Sequence, residues 1–181
     1  MLSRDRETEY GASLSLALSG DLAQSQALAD DLERRFPEDT AVNFSYLPVL
    51  RANLALKRGD APGAIELLQL AVPQELGAPA SSISALFGAM YPVYLRGEAY
   101  ISEGQGANAA AEFQKILDHR GIVVSDPVGA VARLQLGRAY ALAGNKSRAK
   151  AAYQDFLTLW IDADSDVPIL KQAKAEYSKL L

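Results

Sequence analysis

The stretch that decides the fold is LGRAYALAGNKSRAKAAYQDFL, which runs from Leu136 to Leu157. Small and aromatic residues recur at helical spacing on both sides of Gly144, and the residues that directly follow that glycine are polar. A glycine that follows one helix and precedes another by a few residues is typical of the turn in a helix hairpin. The stretch therefore predicts two consecutive helices with a tight turn between them.

The same stretch contains Gly144-Asn145-Lys146-Ser147, which has the letters of a phosphate-binding loop. Such a loop needs the pattern GxxxxGK[ST] between a strand and a helix, because its backbone amides cradle the phosphates. Both the first glycine of that pattern and the strand are absent here. We therefore interpret these residues as an ordinary turn between helices.

The hairpin signal recurs along the chain. Gly20, Gly59, Gly104 and Gly144 each follow one helical segment and precede another, at separations of 39, 45 and 40 residues. The β-rich stretch GIVV at 121–124 is too short to start a sheet. Regular helix–turn–helix periods of this length are the mark of a helical solenoid, so the sequence predicts an all-α fold.

Aligned on these glycines, the segments resemble tetratricopeptide (TPR) repeats. The residues that carry the resemblance are Gly137, Tyr140, Gly144, Ala149 and Tyr153 in the last repeat, and Gly97, Tyr100, Gly104, Ala109 and Phe113 in the one before. The resemblance implies a right-handed α-solenoid of about four hairpins plus a C-terminal capping helix, in a single domain over 1–181. The expected repeats are 3–37, 40–73, 82–119 and 126–161, and the expected capping helix is 166–181.

Within this frame, several local features are predicted. The expected helix N-caps are Asp39-Thr40, Ser81-Ser82, Ser125-Asp126 and Ser165-Asp166. Pro48 and Pro92 mark a kink or a fresh start of a helix, and Gly121 to Asp126 is expected to be an inserted linker. The last helix is expected to bury one apolar stripe made of Ile169, Leu170, Ala173, Tyr177 and Leu180.

Composition narrows the function classes. The net charge is −4, which gives no support to a nucleic-acid partner, because that would need a basic face. The chain has no cysteine and a single histidine, His119, so neither thiolate sites nor paired-histidine metal sites can form. The acidic run at 162–166 lacks the glycine and the glutamate of a calcium loop. No apolar run approaches the roughly 20 residues of a membrane span. We expect a soluble, non-catalytic protein without a metal or cofactor.

The candidate functional residues come from the TPR register. In that fold the first helix of each repeat lines a groove, and repeat positions 2, 5, 9 and 12 point into it. The polar and aromatic residues at those positions form the predicted groove, which would bind a protein or a peptide: Tyr46, Asn53, Tyr91, Tyr94, Glu98 and Arg138. The alternative for Tyr91 and Tyr94 is that they pack against the segment 81–90.

A narrower resemblance covers roughly residues 10–181. LPVLRANLAL, AAEFQKILDHRG and LQLGRAYALAG are similar to the repeat region that follows the kinase domain and a membrane-spanning segment in some bacterial eukaryotic-like serine/threonine kinases. The resemblance implies an interaction or sensor module, with any kinase activity in a parent chain that could tether it to a membrane. The alternative function is self-association, with a homodimer as its simplest form and no peptide ligand in the groove.

Overall fold

The computed structural model describes residues 5–77 and 90–181, and every regular element within these ranges is helical. Pro62, Pro92 and Pro168 each stand in the first turn of a helix, where the missing N–H costs nothing. The helices are α1 (Arg6–Ser19), α2 (Leu22–Arg35), α3 (Leu47–Lys57), α4 (Ala61–Gln69), α5 (Tyr91–Ser102), α6 (Gly106–Asp118), α7 (Arg120–Val123), α8 (Val128–Leu142), α9 (Lys146–Leu159) and α10 (Pro168–Ser178).

The helices pack in succession along the chain. Hairpin 1 consists of α1 and α2, hairpin 2 of α3 and α4, hairpin 3 of α5 and α6, and hairpin 4 of α8 and α9, while α10 packs on α9. Each hairpin contacts the next one, chiefly through α2 with α3, α4 with α5, and α6 with α8. The prediction of an all-α solenoid with four hairpins and a C-terminal helix is confirmed.

Four left-handed glycines make the hairpin turns. Gly20, Gly59, Gly104 and Gly144 have φ angles of 96°, 82°, 71° and 75°, a region that side chains with a Cβ rarely adopt. In three of the turns the next residue caps the following helix: the side chains of Asp21, Asp60 and Asn145 accept hydrogen bonds from the backbone amides three residues further on. The predicted role of these glycines is therefore confirmed.

Glycine also sets the distance between the two helices of a hairpin. In hairpin 3, a Cβ on Gly97 would lie 2.6 Å from the ring of Phe113, and in hairpin 4 a Cβ on Gly137 would lie 2.9 Å from the ring of Tyr153. Both rings are essentially buried. The small residue of the first helix therefore provides the space that the aromatic residue of the second helix fills.

Two local features differ from the sequence prediction. The expected linker from Gly121 to Asp126 begins with the short helix α7, whose Val123 packs against the core, whereas Val124 has a φ of 49° and is 70% exposed. Before α3, the chain forms a π-helical turn (Val42–Tyr46) that leads directly into the helix. Pro48 has no N–H for the normal helical hydrogen bond, and a wider turn upstream accommodates this loss.

The predicted caps have mixed outcomes. Asp39 accepts a hydrogen bond from Val42 N (3.0 Å), as expected. Asp126 accepts one from Val128 N (2.9 Å), but the N-cap of α8 is Pro127, so Asp126 lies one position before the cap. The cap at Ser165-Asp166 is wrong, because α10 begins at Pro168 and its N-cap is Val167, which makes no side-chain bond. Ser81 and Ser82 lie outside the described residues.

The C-terminal helix buries the predicted apolar stripe. Leu170 and Ala173 are fully buried in a cluster with Leu134, Tyr153 and Phe156 of hairpin 4. Other apolar residues, partly buried, border the same cluster: Trp160, Ile169, Tyr177 and Leu180. Helix α10 therefore covers the apolar end of hairpin 4, as a capping helix does in a solenoid.

Candidate functional site

The first helices of the four hairpins form one continuous row. Helix α1 contacts α3, α3 contacts α5, and α5 contacts α8. We call the surface along this row the first-helix face. All six predicted groove residues belong to it: Tyr46 lies just before α3, Asn53 on α3, Tyr91, Tyr94 and Glu98 on α5, and Arg138 on α8. The structure divides them into two groups, one toward the end of the row at α8 and one toward its beginning.

The first group is a hydrogen-bonded network between α5 and α8. The side-chain amide of Gln135 donates to the Tyr94 hydroxyl (3.2 Å) and to Oε1 of Glu98 (2.8 Å). Its carbonyl oxygen accepts a hydrogen bond from Arg138 Nη1 (3.3 Å). Three of the predicted residues therefore meet through Gln135, a residue that the repeat register did not select.

The residue of α8 that faces this network is Gln135, and not Leu134 as the repeat register predicts. Leu134, which the TPR register places in the groove, is 1% exposed and packs in the apolar cluster with α9 and α10. The sequence does contain a signal for Gln135, since it is a polar residue between two leucines in the middle of a helix. A polar residue at such a position is rarely placed there without a hydrogen-bonding partner.

Burial shifts the pKa values of the two ionisable groups that α5 contributes to the network, Glu98 and Tyr94. It raises the pKa of Glu98, although hydrogen bonds from Tyr94 and Gln135 and the charges of Lys57 and Arg138 act in the opposite direction. It also raises the pKa of the Tyr94 hydroxyl, with a further contribution from the carboxylate of Glu98. The ring of Tyr94 packs edge-on against Phe113, with ring centroids 5.7 Å apart. Tyr94 thus has a packing role and presents a polar group to the network.

Arg138 already binds a carboxylate of its own chain. Its Nε and Nη2 donate to the two carboxylate oxygens of Glu176 on α10, both at 2.8 Å. The Tyr153 hydroxyl donates to the same carboxylate, also at 2.8 Å. Burial alone would raise the pKa of Glu176, but the hydrogen bonds from Arg138 and Tyr153 hold it below its usual range. The first-helix face is therefore connected to the C-terminal helix by a fork-shaped ion pair.

We expect Glu176→Gln to lower the free energy of unfolding by about 1 kcal/mol at pH 7, a modest value because both partners are partly exposed. Since the folded-state pKa of Glu176 is lowered, this stabilisation exists above the ordinary glutamate pKa and disappears as the pH falls through the folded-state value. Urea denaturation at pH 7 and at about pH 3 should show wild type and variant converging at the lower pH. A difference that persists at acidic pH would contradict this origin.

The second group lies toward the beginning of the row. The rings of Tyr10 on α1 and Tyr46 are stacked, with centroids 4.3 Å apart, and Tyr91 packs on the same apolar cluster. Burial, and then the charge of Asp126, raises the pKa of Tyr91 to about 12. The alternative partner proposed for Tyr91 and Tyr94, the segment 81–90, lies almost entirely outside the described residues.

Two buried polar atoms near these groups have no hydrogen-bond partner in the described part of the chain. Asn53 is 2% exposed, and its Nδ2, the donor end of the amide, makes no hydrogen bond to residues 5–77 or 90–181. Asp126 is 5% exposed, and its Oδ2 makes no hydrogen bond among the described residues. Burial raises the pKa of Asp126, against the effect of the amide of Val128. Buried groups of this kind are few in native proteins, and each requires an explanation.

The chemistry available on this face is that of recognition. It offers tyrosine rings and hydroxyls, two amides, an arginine and carboxylates, which are hydrogen-bonding and packing groups. Among residues 5–77 and 90–181, no three histidine or acidic side chains are grouped as metal ligands would be. In the same ranges, no helix has both the length and the apolar character needed to cross a membrane.

Comparisons with known proteins agree with the fold. No family model and no curated protein matches the chain. Two solved structures are similar over 96% of this chain: a kinesin-light-chain-like protein of Podosopora anserina with nearly identical TPR-like repeats (TM-score 0.65) and a point variant of it (TM-score 0.66). In both cases the identity is 14% and the match covers 83% of the other chain. At this identity the similarity establishes the fold alone, a TPR-like repeat solenoid.

Proposed function

We propose that the chain is a non-catalytic scaffold that binds a protein or peptide segment along its first-helix face. The observation that supports this most directly is the polar network between α5 and α8, in which Gln135 joins the Tyr94 hydroxyl, Glu98 Oε1 and Arg138 Nη1. Tyr94, Glu98 and Arg138 are partly exposed, so a bound partner can contact them. Tyrosine and arginine side chains are enriched among the groups that contribute most to protein interfaces.

The polar network is suited to recognition because it is already ordered. Gln135 holds both Tyr94 and Glu98, and Arg138 is fixed by its ion pair with Glu176. A partner that binds to groups held in place loses less conformational entropy than one that must order them. We therefore assign Tyr46, Asn53, Tyr91, Tyr94 and Glu98 to partner binding, with Arg138 as the link to α10.

We further propose that the module belongs to a larger signalling protein, in which a serine/threonine kinase domain supplies the catalysis. The support for this is the resemblance of LPVLRANLAL and AAEFQKILDHRG to the repeat regions of bacterial kinases. The motifs of a kinase domain itself, a glycine-rich loop and the HRD and DFG triplets, are absent from these 181 residues. In this setting the module would select what the kinase acts on or responds to.

The test is a double substitution, Tyr94→Phe with Glu98→Gln, followed by affinity capture from native extract. Phenylalanine keeps the ring packed on Phe113, and glutamine can keep the hydrogen bond to Gln135, so the fold should be retained. We expect capture of a heterologous partner by the wild type and a loss of about tenfold or more in the variant. Circular dichroism should show equal helix content.

The matched control is Tyr140→Phe with Glu66→Gln. Tyr140 lies on α8 with its ring against Arg148, and Glu66 is exposed on α4, so neither belongs to the network. The control should capture the partner as the wild type does. Equal capture by the network variant would refute binding through this part of the face.

Self-association is the second candidate, and exposed apolar side chains favour it. Leu159, the last residue of α9, and Ile161 just after it are 55% and 76% exposed. Exposed apolar residues are common at contacts between copies of a chain. Capture of the chain's own copies alone, together with a dimer mass by light scattering, would favour this function over peptide binding.

A further inference from the structure

The starting observation is an open groove at the junction between hairpins 3 and 4, with a volume of about 420 Å³. One wall is the surface of α6 formed by Ala107, Ala110 and Ala111, and the other is the end of α8, with Tyr140 and Ala143. The side chains of alanine are short, which leaves open space between the two helices. The volume lies within the range of about 300–1,000 Å³ that is typical of ligand sites.

A close contact between the two helices fixes the shape of this groove. At Gly106, where α6 begins, a Cβ would lie only 2.5 Å from Ala143 N and 2.7 Å from Ala139 O. The backbones of α6 and α8 therefore touch beside the groove. A site whose walls are already in place loses less conformational entropy when it is occupied.

The charge at the groove comes from Arg148. Its guanidinium carbon lies 5.6 Å from the centre of the Tyr140 ring, and the side chain is exposed. Arg148 forms no ion pair within the described part of the chain. The other polar residues of the lining are Gln114 and Asn145, which are neutral. Gln114 donates to Asp118, whose carboxylate is exposed and lies outside the lining.

The start of α9 also favours an anion at this place. Lys146 and Arg148 lie in the first turn of α9, which contains no acidic residue. The N-terminus of a helix carries a partial positive charge, so cations there are unfavourable. A carboxylate beside Arg148 would offset that repulsion and would accept paired hydrogen bonds from the guanidinium.

We propose that this groove is a second docking site, which binds an apolar side chain and a neighbouring acidic side chain of a protein segment. The apolar side chain lies between the alanines of α6 and the Tyr140 ring, and the carboxylate pairs with Arg148. Arg148 would repel a basic segment, and a neutral segment would lack the ion pair.

This site is separate from the first-helix face and goes beyond the proposed function. Arg138 and Tyr140 are two positions apart on α8, and residues at that spacing do not lie on the same side of a helix. The groove therefore opens away from the network around Gln135. A partner bound there would leave the first-helix face accessible.

The test is a titration of isotope-labelled protein with three peptides, followed by nuclear magnetic resonance. The probes are Ac-Ala-Leu-Glu-Ala-NH2, Ac-Ala-Leu-Gln-Ala-NH2, which lacks the charge, and Ac-Ala-Ala-Glu-Ala-NH2, which lacks the large apolar side chain. We expect the first probe to shift the amide signals of Ala111 and Arg148 saturably. Each of the other two should bind about tenfold more weakly or worse.

The first variant is Arg148→Gln, which removes the charge. Its backbone amide, to which the Asn145 side chain is bonded, is unchanged, so α9 should begin as before. We expect about a tenfold or greater loss of affinity for the first probe. The matched control is Lys150→Gln, which removes the same charge from the same helix outside the groove lining and should bind as the wild type does.

The second variant is Ala111→Leu, which fills the groove and keeps its charge. Ala111 is exposed on α6 and leucine is a good helix former, so the fold should be retained. We expect a loss of affinity of about tenfold or more, with an unchanged circular dichroism spectrum. Ala175→Leu, at an exposed position of α10, is the control and should have no effect.

The outcomes separate this inference from the proposed function. Equal binding of the glutamine or the alanine probe would overturn it, as would unchanged binding by either groove variant. Absence of saturable binding by any probe would overturn it as well. None of the variants changes Tyr94, Glu98 or Gln135, so the capture experiment judges binding along the first-helix face independently.

Discussion

Replacing Arg96 with alanine is expected to lower the free energy of unfolding by about 3–5 kcal/mol, the range for breaking a buried ion pair by removing one partner. The guanidinium of Arg96 is 3% exposed, and its Nη2 lies 2.8 Å from Glu75 and 2.7 Å from Glu112. Glu75 follows hairpin 2 and is equally buried, with Lys115 Nζ at 2.9 Å as its only other ionic partner among the described residues. Without Arg96, two carboxylates would remain in the interior with too little positive charge.

Urea denaturation of Arg96→Ala and Arg51→Ala provides the measurement and its control. Arg51 forms an ion pair of similar length with Glu33, at 2.6 Å, but both side chains are at least one-third exposed. An exposed pair contributes about 0–1 kcal/mol, so the control should lose little. Equal losses in the two variants would show that Arg96 is not the centre of a buried charge network.

Gly106→Ala is expected to destabilise the junction between hairpins 3 and 4 by about 2–3 kcal/mol. A Cβ at this position would lie 2.5 Å from Ala143 N and 2.7 Å from Ala139 O, which are backbone atoms of α8 and of the residue that ends it. A side chain can rotate away from such a clash, but backbone atoms cannot, so α6 and α8 would have to separate. Thermal unfolding should show a lower midpoint and an unchanged helix content at low temperature.

Gly121→Ala is the matched control. A Cβ on Gly121 would meet nothing within 4 Å, and this glycine lies within α7. Alanine should therefore be neutral or slightly stabilising, by up to about 1 kcal/mol, because it restricts the unfolded chain. A loss in this control equal to that of Gly106→Ala would point to a general cost of alanine and not to the close approach of helices.

The parts of the fold that the sequence predicts are those with local causes. The turn glycines are recognisable because a left-handed residue is required between two helices of a hairpin. The pairing of Gly97 with Phe113 is likewise foreseeable, since the small and the large residue recur together in hairpin 4. Helix α7 is not foreseeable, because its four residues are rich in β-branched side chains and hold their shape through packing under α8.

The candidate site is less predictable because it depends on pairs that are distant in sequence. Glu98 and Gln135 are separated by 37 residues, and Arg138 and Glu176 by 38. The repeat register selects Glu98 and Arg138. It does not select Gln135, which lies one position after the register residue Leu134, and it does not extend to α10. Asp126 was predicted only as a helix cap, and the oxygen that lacks a partner becomes visible only in three dimensions.

The row of contacts along the first-helix face has a mechanical consequence. The described hairpins pack on one another in succession. Bending of the solenoid is therefore opposed separately at each junction between two hairpins. A segment bound across α3, α5 and α8 would span two of these junctions at once and would restrict bending at both. Binding would then stiffen the solenoid beyond the bound segment, and amide hydrogen exchange in α10 would slow although α10 lies outside the first-helix face.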